Sequence, residues 1–492
     1  MIRAIKESSA SLKEIATYLG LESQSDLTIR GICSSSKNVE PGDLFVALPG
    51  SKTHGAEFIS EVISKGASAV LTDTKGALLV ADKLPVLVVA NPRKLVGPLS
   101  DWFYGTPSSK LNLYGITGTN GKTTTSYLLN QIWKSAGKST ALVGTLGIEI
   151  CGESKSSGFT TPEADALQNV FNAALERHAT NTVMEVSSIA IEMDRIKGAK
   201  FKCVAFSNLT QDHLDFHGDM ASYGSAKQKL FALEYSESAL INIDDEFGAK
   251  LFADCEIPAI AVSRTNPKAI WHFASIEKSG VKTAVSIRGE GGILIEGEIS
   301  LIGDYNLDNL LMAVAMAFHS GIDPLVIAAT LPKLKGAPGR MELVDVGQKF
   351  IALVDYAHTP DAVARSLASV KTLSKKVIAV LGCGGDRDTS KREIMGTELA
   401  KGSDISIFTS DNPRSEDPTA ILKMMMASVK EDQNKIQVLD RREAISLAVA
   451  SAEDGDCVII LGKGHETGQE VAGIVTPFDD RIELAKAIGA LS

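Results

Sequence analysis

Apolar residues follow two different spacings along the chain. Some stand in short continuous runs, the pattern of a strand buried on both faces, and others recur every three or four positions, which is typical of an amphipathic helix. Up to residue 108 this pattern predicts short strands and helices, including a buried strand at residues 43–48 and a helix at residues 57–64. The stretch Gly105-Thr-Pro-Ser-Ser109 then interrupts the pattern and predicts a linker.

From residue 110 onwards strand and helix patterns alternate. Apolar residues come before a glycine-rich loop, and apolar residues at helical spacing come after it. The first group is Leu111, Leu113 and Ile116, and the second is Leu128, Leu129, Ile132, Trp133 and Ala136. This order predicts a strand, a loop and a helix belonging to a parallel sheet.

A second interruption lies at residues 333–339, after an apolar helix predicted at residues 310–318. Beyond it, strands are predicted at residues 350–354, 377–381, 405–409 and 458–461, with helical segments between them. We therefore predict an α/β protein of three domains, with a mainly parallel central sheet and a smaller, doubly wound, Rossmann-like last domain. The predicted domains span residues 1–108, 109–334 and 335–492.

The composition narrows the class of protein. With 44% hydrophobic and 22% charged residues, the chain of 492 residues is of the ordinary globular type. Its net charge of -10 argues against a general nucleic-acid-binding protein, and its six cysteines contain no Cys-x-x-Cys pair, which favours neither a disulfide framework nor a zinc cluster. The N-terminal residues lack the apolar core of a signal peptide, and no apolar run of about 18 residues occurs, so we expect a cytoplasmic protein without a membrane span.

The clearest candidate binding site is the glycine-rich loop Gly118-Thr-Asn-Gly-Lys-Thr-Thr124. A glycine-rich loop between a strand and a helix presents backbone N–H groups to phosphate oxygens, and the helix dipole favours the anion. Lys122 would neutralise the β- and γ-phosphates, and Thr123 would place a hydroxyl on Mg²⁺. Ile116 stands where the general P-loop has glycine, so the match is to the shorter form G-x-x-G-K-[ST]. A chance glycine turn is the alternative. The predicted ATP contacts are Gly118, Thr119, Asn120, Gly121, Lys122, Thr123 and Thr124.

This loop resembles the ATP loop of the Mur ligases and of the related folylpolyglutamate synthases, which join a carboxylate to an amine through an acyl phosphate. The resemblance covers about residues 30–490 and is strongest to the Mur ligases that add meso-diaminopimelate to UDP-N-acetylmuramoyl-L-alanyl-D-glutamate. It implies an N-terminal domain for the uridine nucleotide, a central ATPase domain and a C-terminal domain for the amino acid.

The resemblance also implies a magnesium site. The segments Met184-Glu-Val-Ser-Ser188 and Asn208-Leu-Thr-Gln-Asp-His-Leu-Asp-Phe-His-Gly218 carry acidic and histidine side chains just after apolar runs, where the active-site loops of parallel sheets lie. One position matches a lysine that the family carbamylates, which turns a cation into a carboxylate-like anion for a second Mg²⁺. The implied metal ligands are Thr123, Glu185, His213 and the carbamylated Lys227.

In the N-terminal domain, Val39-Glu-Pro-Gly-Asp-Leu-Phe-Val-Ala47 is similar to the uridine-binding segment of the family. Just before this segment, Ser35 replaces an aspartate of the family's usual pattern. In the predicted central domain, Ile189 replaces a histidine of that pattern and Met193 stands where a polar residue is common. The implied contacts with the UDP-N-acetylmuramoyl-dipeptide are Ser36, Lys37, His54, Thr160, Thr161, Pro162, Ser187 and Arg195.

Further ATP contacts are implied toward the C-terminal part of the chain. In the family they form when the last domain closes, and closure excludes water from the acyl phosphate. A hinge near residue 335 is therefore implied. The matching residues are Asn306, Asn309, Arg340, Asp355 and His358.

The string Asp411-Asn-Pro-Arg-Ser-Glu-Asp-Pro418 distinguishes between amino-acid substrates. In the family, Asp-Asn-Pro-Arg accompanies meso-diaminopimelate, because the arginine, here Arg414, can form a bidentate pair with a distal carboxylate that lysine lacks. Glu466 would pair with an ammonium group. A solvated turn is the alternative interpretation of this string. The implied pocket consists of Arg387, Asp411, Asn412, Arg414, Gly462 and Glu466.

These patterns and the resemblance predict an ATP-dependent, Mg²⁺-requiring ligase of cytoplasmic peptidoglycan precursor synthesis. We expect it to be a monomer and not to bind nucleic acid. Positioning and charge neutralisation would carry the catalysis. The implied catalytic residues are Lys122, Lys227, His213 and Arg340. Three alternatives stay open: an L-lysine-adding ligase of the same family, a ligase like folylpolyglutamate synthase, and a non-catalytic P-loop regulatory protein.

Overall fold

A computed structural model describes residues 2–4, 8–50, 53–430 and 434–490. The chain divides into two compact units. Unit 1 comprises Met1–Ala274, Ser286–Glu296 and Asp308–Thr330, and unit 2 comprises Ser275–Val285, Gly297–Leu307 and Leu331–Ser492. Residues 1 and 492, the outer bounds of the predicted first and last domains, lie outside the described residues, and the three predicted domain bounds remain a prediction.

The N-terminal part of unit 1 forms a small parallel sheet. The four strands of this sheet are β3 (Gly31–Cys33), β4 (Asp43–Ala47), β5 (Ala69–Thr72) and β6 (Val86–Val88), and β1 (Ala10–Ser11) and β2 (Thr28–Ile29) form a separate two-stranded sheet. The helices of this part are α1 (Leu12–Tyr18), α2 (Ile59–Ser64), α3 (Thr74–Val80) and α4 (Pro92–Phe103). The strands β3 to β6 pair in parallel in chain order, and β1 pairs with β2 antiparallel. Every residue of β4 is buried, which confirms the strand predicted at residues 43–48. The helix predicted at residues 57–64 begins as a 3₁₀ turn, Gly55–Phe58, before α2.

A larger sheet of eight strands follows in unit 1. Its strands are β7 (Asn112–Thr117), β8 (Thr140–Gly144), β9 (Gly147–Ile150), β10 (Glu153–Lys155), β11 (Asn181–Glu185), β12 (Cys203–Phe206), β13 (Ala239–Asn242) and β14 (Ala259–Val262), and its helices are α5 (Lys122–Ser135), α6 (Ala164–Glu176), α7 (Ser188–Glu192), α8 (Leu214–His217), α9 (Met220–Gln228) and α10 (Glu246–Ala253). The strand order is β10-β9-β8-β11-β7-β12-β13-β14, with antiparallel pairing only where β9 and β10 take part. The residues that follow β7, β11 and β12 therefore emerge side by side at one edge of the sheet.

A three-stranded sheet and two helices come next in the chain. They are β15 (His272–Ser279), β16 (Lys282–Arg288), β17 (Leu294–Ile299), α11 (Asp304–His319) and α12 (Pro324–Thr330). The helix predicted at residues 310–318 lies within α11.

Unit 2 contains a six-stranded sheet of Rossmann type. Its strands are β18 (Glu342–Leu343), β19 (Ile351–Asp355), β20 (Val377–Leu381), β21 (Ile405–Phe408), β22 (Lys435–Gln437) and β23 (Cys457–Leu461), its helices are α13 (Pro360–Lys371), α14 (Ser390–Gly402), α15 (Pro418–Met426), α16 (Arg441–Ala450) and α17 (Asp480–Gly489), and β24 (Gly468–Val471) and β25 (Ile474–Pro477) form a hairpin. The order is β18-β19-β23-β20-β21-β22, parallel except for β18. The four strands predicted in this part of the chain are confirmed.

The core of unit 2 shows why its strands are continuously apolar. Leu381 packs on one face of the sheet with Leu367 of α13, whereas its neighbour Val380 packs on the other face with Leu484 of α17. Successive side chains of a strand point to opposite faces, so a sheet covered by helices on both sides needs apolar residues at every position. The predicted α/β class is confirmed.

The six cysteines are free thiols, four of them buried. Among the described residues, no helix combines the length and apolar character needed to cross a membrane.

Candidate functional site

The glycine-rich loop connects β7 to α5, and two of its glycines are required by geometry. Gly118 has φ 142° and Gly121 has φ 90°, a region of backbone conformation that side chains disfavour. A Cβ atom on Gly118 would lie 1.9 Å from Ser207 Oγ, and one on Gly121 would lie 2.2 Å from Asn309 Oδ1. Only glycine allows these close approaches. The predicted loop and the predicted residue Asn309 are thus brought together within unit 1.

Residues that follow β12 hold the loop in place. The N–H of Thr119 donates to Asn208 O at 2.8 Å, and the N–H of Asn120 donates to Asn208 Oδ1 at 3.0 Å. Ser207 Oγ donates to Asn120 O at 2.6 Å. Because β12 lies beside β7, the segment 208–218 is placed against the loop, which positions the loop's remaining N–H groups.

The ammonium group of Lys122 folds back over the loop. Its Nζ donates to Gly118 O at 2.8 Å and to Thr119 O at 2.9 Å. Lys122 is the first residue of α5, so the positive end of the helix dipole and the lysine charge coincide. The arrangement has the features of a phosphate-binding site.

Glu185 ends β11 and carries a buried carboxylate beside the loop. It accepts hydrogen bonds from Thr123 Oγ1 at 2.8 Å, from Thr145 N at 2.8 Å and from Thr145 Oγ1 at 3.1 Å. Thr145 Oγ1 also lies 3.1 Å from Thr160 Oγ1. Gly144 is required next to this carboxylate, since a Cβ there would lie 2.1 Å from Glu185 Oε1.

These atoms fit a magnesium ion. A hydroxyl and a carboxylate oxygen stand together at the start of α5, and hard cations of this kind take oxygen ligands and keep several for water or phosphate. Within the described residues, no group of three or more His, Cys, Asp and Glu side chains is arranged to hold a metal. Thr123 and Glu185 are oxygen donors that the described residues place together at this point.

The other two predicted metal ligands meet at Tyr223. Lys227 Nζ lies 4.4 Å from the centroid of the Tyr223 ring, and the His213 ring centroid lies 6.2 Å from it. The Tyr223 hydroxyl lies 3.2 Å from Thr119 Oγ1, which joins this group to the loop. His213 has a left-handed backbone, φ 52°, and a side chain that is 44% exposed.

Lys227 is buried, and its environment disfavours the charged form. Its relative exposure is 1%, and its Nζ donates to Gly118 O at 3.0 Å. Burial, together with the nearby charge of Lys122, lowers the pKa of the Lys227 ammonium well below its usual range. A neutral amine at this position is a nucleophile.

Two residues of this site were missed by sequence reasoning. Tyr223 lies one helical turn before Lys227 in α9, a spacing that could have revealed it. His217 approaches Ser188 Oγ at 2.9 Å through Nε2, and its ring lies tilted against the Tyr223 ring with centroids 5.1 Å apart. It lies within the quoted segment 208–218, but only the fold shows what it contacts.

The Thr-Thr-Pro segment contacts the main chain at Glu185 and Ser187. Thr161 Oγ1 donates to Glu185 O at 2.9 Å and accepts from Ser187 N at 3.1 Å. Arg195 Nη1 donates to Thr161 O at 3.3 Å, and its Nε lies 3.0 Å from Glu163. The predicted residues Thr160, Thr161, Pro162, Ser187 and Arg195 thus form one group.

Ser34 joins the N-terminal sheet to the same region. Its N–H and Oγ donate to the two carboxylate oxygens of Asp165 at 2.8 and 2.6 Å. Asp165 lies in α6, just after the Thr-Thr-Pro segment, and burial raises the pKa of its carboxyl group. Sequence reasoning missed this contact, because an aspartate in the first turn of a helix is usually a capping residue.

The remaining predicted nucleotide-sugar residues have local roles in the structure. Ser36 begins a 3₁₀ turn, and its carbonyl accepts from Lys65 Nζ at 2.8 Å. Lys37 is exposed. His54 Nδ1 accepts from Ala56 N at 3.1 Å, so the imidazole caps the turn that follows.

In unit 2, three of the predicted ATP contacts surround Tyr356. The guanidinium carbon of Arg340 lies 4.4 Å from the Tyr356 ring centroid, and the His358 ring centroid lies 4.6 Å from it. The Asp355 carboxylate accepts from Tyr356 N at 2.9 Å and Met341 N at 3.1 Å, and burial raises its pKa. Asn306 Nδ2 donates to Ile302 O at 2.7 Å.

The predicted amino-acid pocket lies where β20, β21 and β23 end. Asn412 Nδ2 donates to Glu466 Oε2 at 2.8 Å. Lys463, which sequence reasoning missed, is fully buried and donates to Asn412 Oδ1 at 3.0 Å and to Glu466 Oε2 at 3.1 Å. Gly462 is required beside Asp411, because a Cβ there would lie 2.8 Å from Asp411 Oδ2. Burial raises the pKa of Asp411.

Arg414 is held in an uncommon conformation at this edge. Its backbone is left-handed, φ 51°, and its N–H donates to Glu470 O at 3.1 Å. Its Nη1 donates to Gly385 O at 2.6 Å, and its Nε lies 3.4 Å from Glu470 Oε2. Arg387 is exposed on the loop that contains Gly385.

Three parts of the chain match family descriptions. Residues 28–104 match the catalytic domain of the Mur ligase family, residues 116–317 match the Mur ligase middle domain, and residues 339–464 match the Mur ligase glutamate ligase domain.

Relatives of known name are similar along almost the whole chain. A protein of Streptomyces coelicolor named UDP-N-acetylmuramoyl-L-alanyl-D-glutamate–2,6-diaminopimelate ligase is 43% identical over 495 residues, covering 99% of this chain and 98% of that protein. One of the same name from Aquifex aeolicus is 39% identical, covering 94% of each.

Solved structures show the same similarity in the fold. One described as UDP-N-acetylmuramoyl-L-alanyl-D-glutamate–2,6-diaminopimelate ligase has 32% sequence identity and a TM-score of 0.71, covering 98% of this chain and 99% of that one. The MurF ligase of Thermotoga maritima in complex with ADP has 17% identity and a TM-score of 0.64, covering 94% of this chain and 99% of that one, and supports the fold alone.

Proposed function

The chain belongs to the Mur ligase family, and on that premise we propose that it joins meso-2,6-diaminopimelate to UDP-N-acetylmuramoyl-L-alanyl-D-glutamate at the expense of ATP. Two observations together support this proposal. The chain is similar over almost its whole length to ligases of that name, and Arg414 lies at the edge of the unit 2 sheet. The reaction belongs to peptidoglycan precursor synthesis, and we place it in the cytoplasm, carried out by a monomer.

ATP binds at the loop between β7 and α5. The backbone N–H groups at the start of α5 and the Lys122 ammonium receive the β- and γ-phosphates, because both lie at the positive end of the helix dipole. Mg²⁺, when bound, would supply charge neutralisation at the transferred phosphate. Thr123 and Glu185 are the oxygen ligands that the protein offers it, and His213 is proposed as a ligand from the resemblance.

Lys227 is proposed to carry a carbamate. Burial lowers the pKa of this ammonium, which favours the neutral amine. In that form it can attack CO₂, forming a new N–C bond while a nitrogen proton goes to solvent. The product is an anion in a buried position next to the loop carbonyl of Gly118. Such an anion gives the site a second group able to hold a divalent cation.

The reaction proceeds in two transfers. The D-glutamyl carboxylate attacks the γ-phosphorus of ATP, ADP leaves, and an acyl phosphate forms. The amine of diaminopimelate then attacks the acyl carbon, and inorganic phosphate leaves as the amide bond forms. The chain positions these groups and neutralises their charge, and precise positioning can contribute about 7–11 kcal/mol to lowering the barrier. The contacts with ATP predicted for Asn306, Arg340, Asp355 and His358 remain predictions.

The dipeptide end of the nucleotide-sugar is proposed to lie along Thr160, Thr161, Ser187 and Arg195. This group contacts Glu185, so a carboxylate bound there would be next to the proposed metal. Arg195 offers a guanidinium suited to a phosphate or carboxylate. Uridine recognition by Ser36, Lys37 and His54 stays a prediction.

The amino-acid substrate is proposed to bind between Arg414 and Glu466. The arginine would receive the distal carboxylate, and Glu466, held by Asn412 and Lys463, would receive an ammonium group. An L-lysine-adding ligase would leave Arg414 without a carboxylate partner in the substrate.

The proposal is tested by phosphate release with a panel of amino acids. Purified protein is supplied with ATP, Mg²⁺ and UDP-N-acetylmuramoyl-L-alanyl-D-glutamate, and the panel contains meso-diaminopimelate, L-lysine and L-glutamate. We expect release to depend on diaminopimelate, with L-lysine at least about 100-fold poorer in kcat/KM, since a buried site that pairs with a substrate charge rejects the analogue that lacks it. Equal release with L-lysine would contradict the substrate assignment, and release without any amino acid would contradict the ligase.

A further inference from the structure

Two loops of unit 2 are joined across the proposed amino-acid pocket. One follows β20 and contains Gly384, Gly385 and Asp386, and the other follows β21 and contains Arg414 and the residues around it. The strands are parallel neighbours, with Leu381 opposite Phe408, so both loops emerge at the same edge of the sheet. What holds the first loop therefore determines the surroundings of the Arg414 side chain.

The contacts between the loops are direct. Gly385 N donates to Asn412 O at 2.8 Å, and Gly385 O accepts from Arg414 Nη1 at 2.6 Å. Ser415 Oγ donates to Asp386 Oδ1 at 2.6 Å. A Cβ on Gly385 would lie 1.9 Å from Pro413 O, so the loops approach as closely as glycine allows.

Arg392 lies behind this junction and contacts both loops. It belongs to the first turn of α14 and has a relative exposure of 0%. Its Nη1 and Nη2 donate to the two carboxylate oxygens of Glu416, each at 2.8 Å, and Nη2 also donates to Gly384 O at 3.1 Å. The same Glu416 accepts from Asp386 N. One guanidinium and one carboxylate thus connect the β20 loop to the β21 loop.

The burial of Arg392 lowers the stability of the fold. Its Nε is buried without a hydrogen-bond partner within the described residues, and burying an arginine with an unpaired donor costs free energy that an apolar side chain would avoid. A bidentate pair, however, fixes its partner in distance and in angle. The pair therefore costs stability but fixes the position of Glu416, as expected where a neighbouring side chain must be held in a defined place.

We propose that Arg392, acting through Glu416, is a positioning residue for Arg414 and so determines the preference for an amino acid with a distal carboxylate. This inference rests on the proposed function. Without the guanidinium, Glu416 keeps its hydrogen bond from Asp386 N but loses both bonds from Arg392, and Gly384 O loses its bond from Arg392. The β20 loop is then held less firmly, and the Gly385 carbonyl orients the guanidinium of Arg414 less precisely.

The inference is tested with Arg392→Lys and Glu416→Gln, which keep size but lose the bidentate charged pair. For each variant, KM for meso-diaminopimelate, KM for ATP and kcat are measured by phosphate release. We expect KM for diaminopimelate to rise about tenfold or more, with KM for ATP and kcat within about twofold, because uniform binding of that substrate is lost. Arg442→Lys, which alters the pair between the exposed Arg442 and the buried Glu483 in the same unit, is the control and should change none of them.

Coupling to Arg414 separates positioning from a general structural role. In an Arg414→Ala background the distal carboxylate has no partner, so adding Arg392→Lys should raise KM for diaminopimelate less than about twofold further. A full additional rise in that background would overturn the proposal, as would an unchanged KM in both single variants. If Arg392→Lys does not fold, as judged by circular dichroism, Glu416→Gln decides.

The outcomes for the two proposals differ. If the unaltered protein shows no diaminopimelate-dependent phosphate release, the proposed function fails. If it does, and Arg414→Ala raises KM for diaminopimelate while Arg392→Lys and Glu416→Gln leave it unchanged, only the positioning role fails.

Discussion

Replacing Glu185 by glutamine separates the metal-binding role of this carboxylate from its structural role. Glutamine keeps the shape of the side chain and one carbonyl oxygen but removes the charge. In the structure the carboxylate accepts three hydrogen bonds, from Thr123 Oγ1 and from the N–H and hydroxyl of Thr145. Its relative exposure is 1%, so solvent does not compensate for what is lost.

The effect on stability should be small because two terms oppose each other. The amide oxygen can still accept from Thr145 N, but the amide nitrogen cannot accept, so the two threonine hydroxyls must turn to accept from it. A hydrogen bond to a charged group contributes about 1.5–3 kcal/mol and a neutral one about 1 kcal/mol, so the three replaced bonds cost about 1.5–6 kcal/mol. Removing a buried charge recovers a desolvation penalty of several kcal/mol. We expect the free energy of unfolding of the metal-free protein to change by less than about 2 kcal/mol after Glu185→Gln.

The effect on catalysis should be large. A metal ion that neutralises developing charge contributes several kcal/mol, and a loss of about 4 kcal/mol lowers kcat about 1,000-fold. The assay is phosphate release at saturating substrates over a titration of Mg²⁺, together with urea unfolding of the metal-free protein. Glu237→Gln is the control, since Glu237 forms an exposed pair with Lys202 in the same unit and should affect neither measurement. A fall in kcat of less than about tenfold for Glu185→Gln would refute the proposed ligand.

Two further predictions concern buried ionisable side chains. Lys227→Met should lower kcat at least about 100-fold, because it removes the amine proposed to carry a metal-binding carbamate. Protein supplied with ¹³C-labelled CO₂ should show a carbamate carbon signal that the variant lacks, and a signal of equal intensity in the variant would assign the carbamate elsewhere. Arg441→Met should lower the free energy of unfolding measured in urea by about 3–5 kcal/mol, because it leaves the fully buried Asp480 carboxylate without the guanidinium it pairs with. Adding Asp480→Leu to this variant should restore most of the lost stability. If the single variant loses less than about 1 kcal/mol, the pair does not stabilise the fold.

The strands and the phosphate loop were predictable because local sequence determines them. A strand in a parallel sheet covered on both faces is apolar at every position, and β20, Val377–Leu381, has the bounds that its apolar run predicts. Gly118 and Gly121 were predictable because a loop that approaches its neighbours so closely excludes every other residue.

The supporting residues of the site were not predictable in the same way. Tyr223, Lys463 and Arg392 obtain their roles from strand order, which brings together segments far apart in the chain. A buried lysine or arginine is rare and must be paired, but the sequence does not identify its partner. The helix predicted from residue 57 likewise begins differently, as a 3₁₀ turn capped by His54, the short and tighter form that often starts an α-helix.

The two proposed ligand sites differ in how their carboxylates are balanced. Glu466 receives hydrogen bonds from Asn412 and from the Lys463 ammonium, so its charge is already paired before any substrate binds. The three hydrogen bonds to Glu185 all come from neutral threonine groups. A buried carboxylate held only by neutral donors gains more from an added cation than one that already has a cationic partner. Divalent metal should therefore stabilise the folded protein through the Glu185 site more strongly than diaminopimelate does through Glu466, with a Mg²⁺-dependent rise in melting temperature that Glu185→Gln abolishes and Glu466→Gln leaves in place.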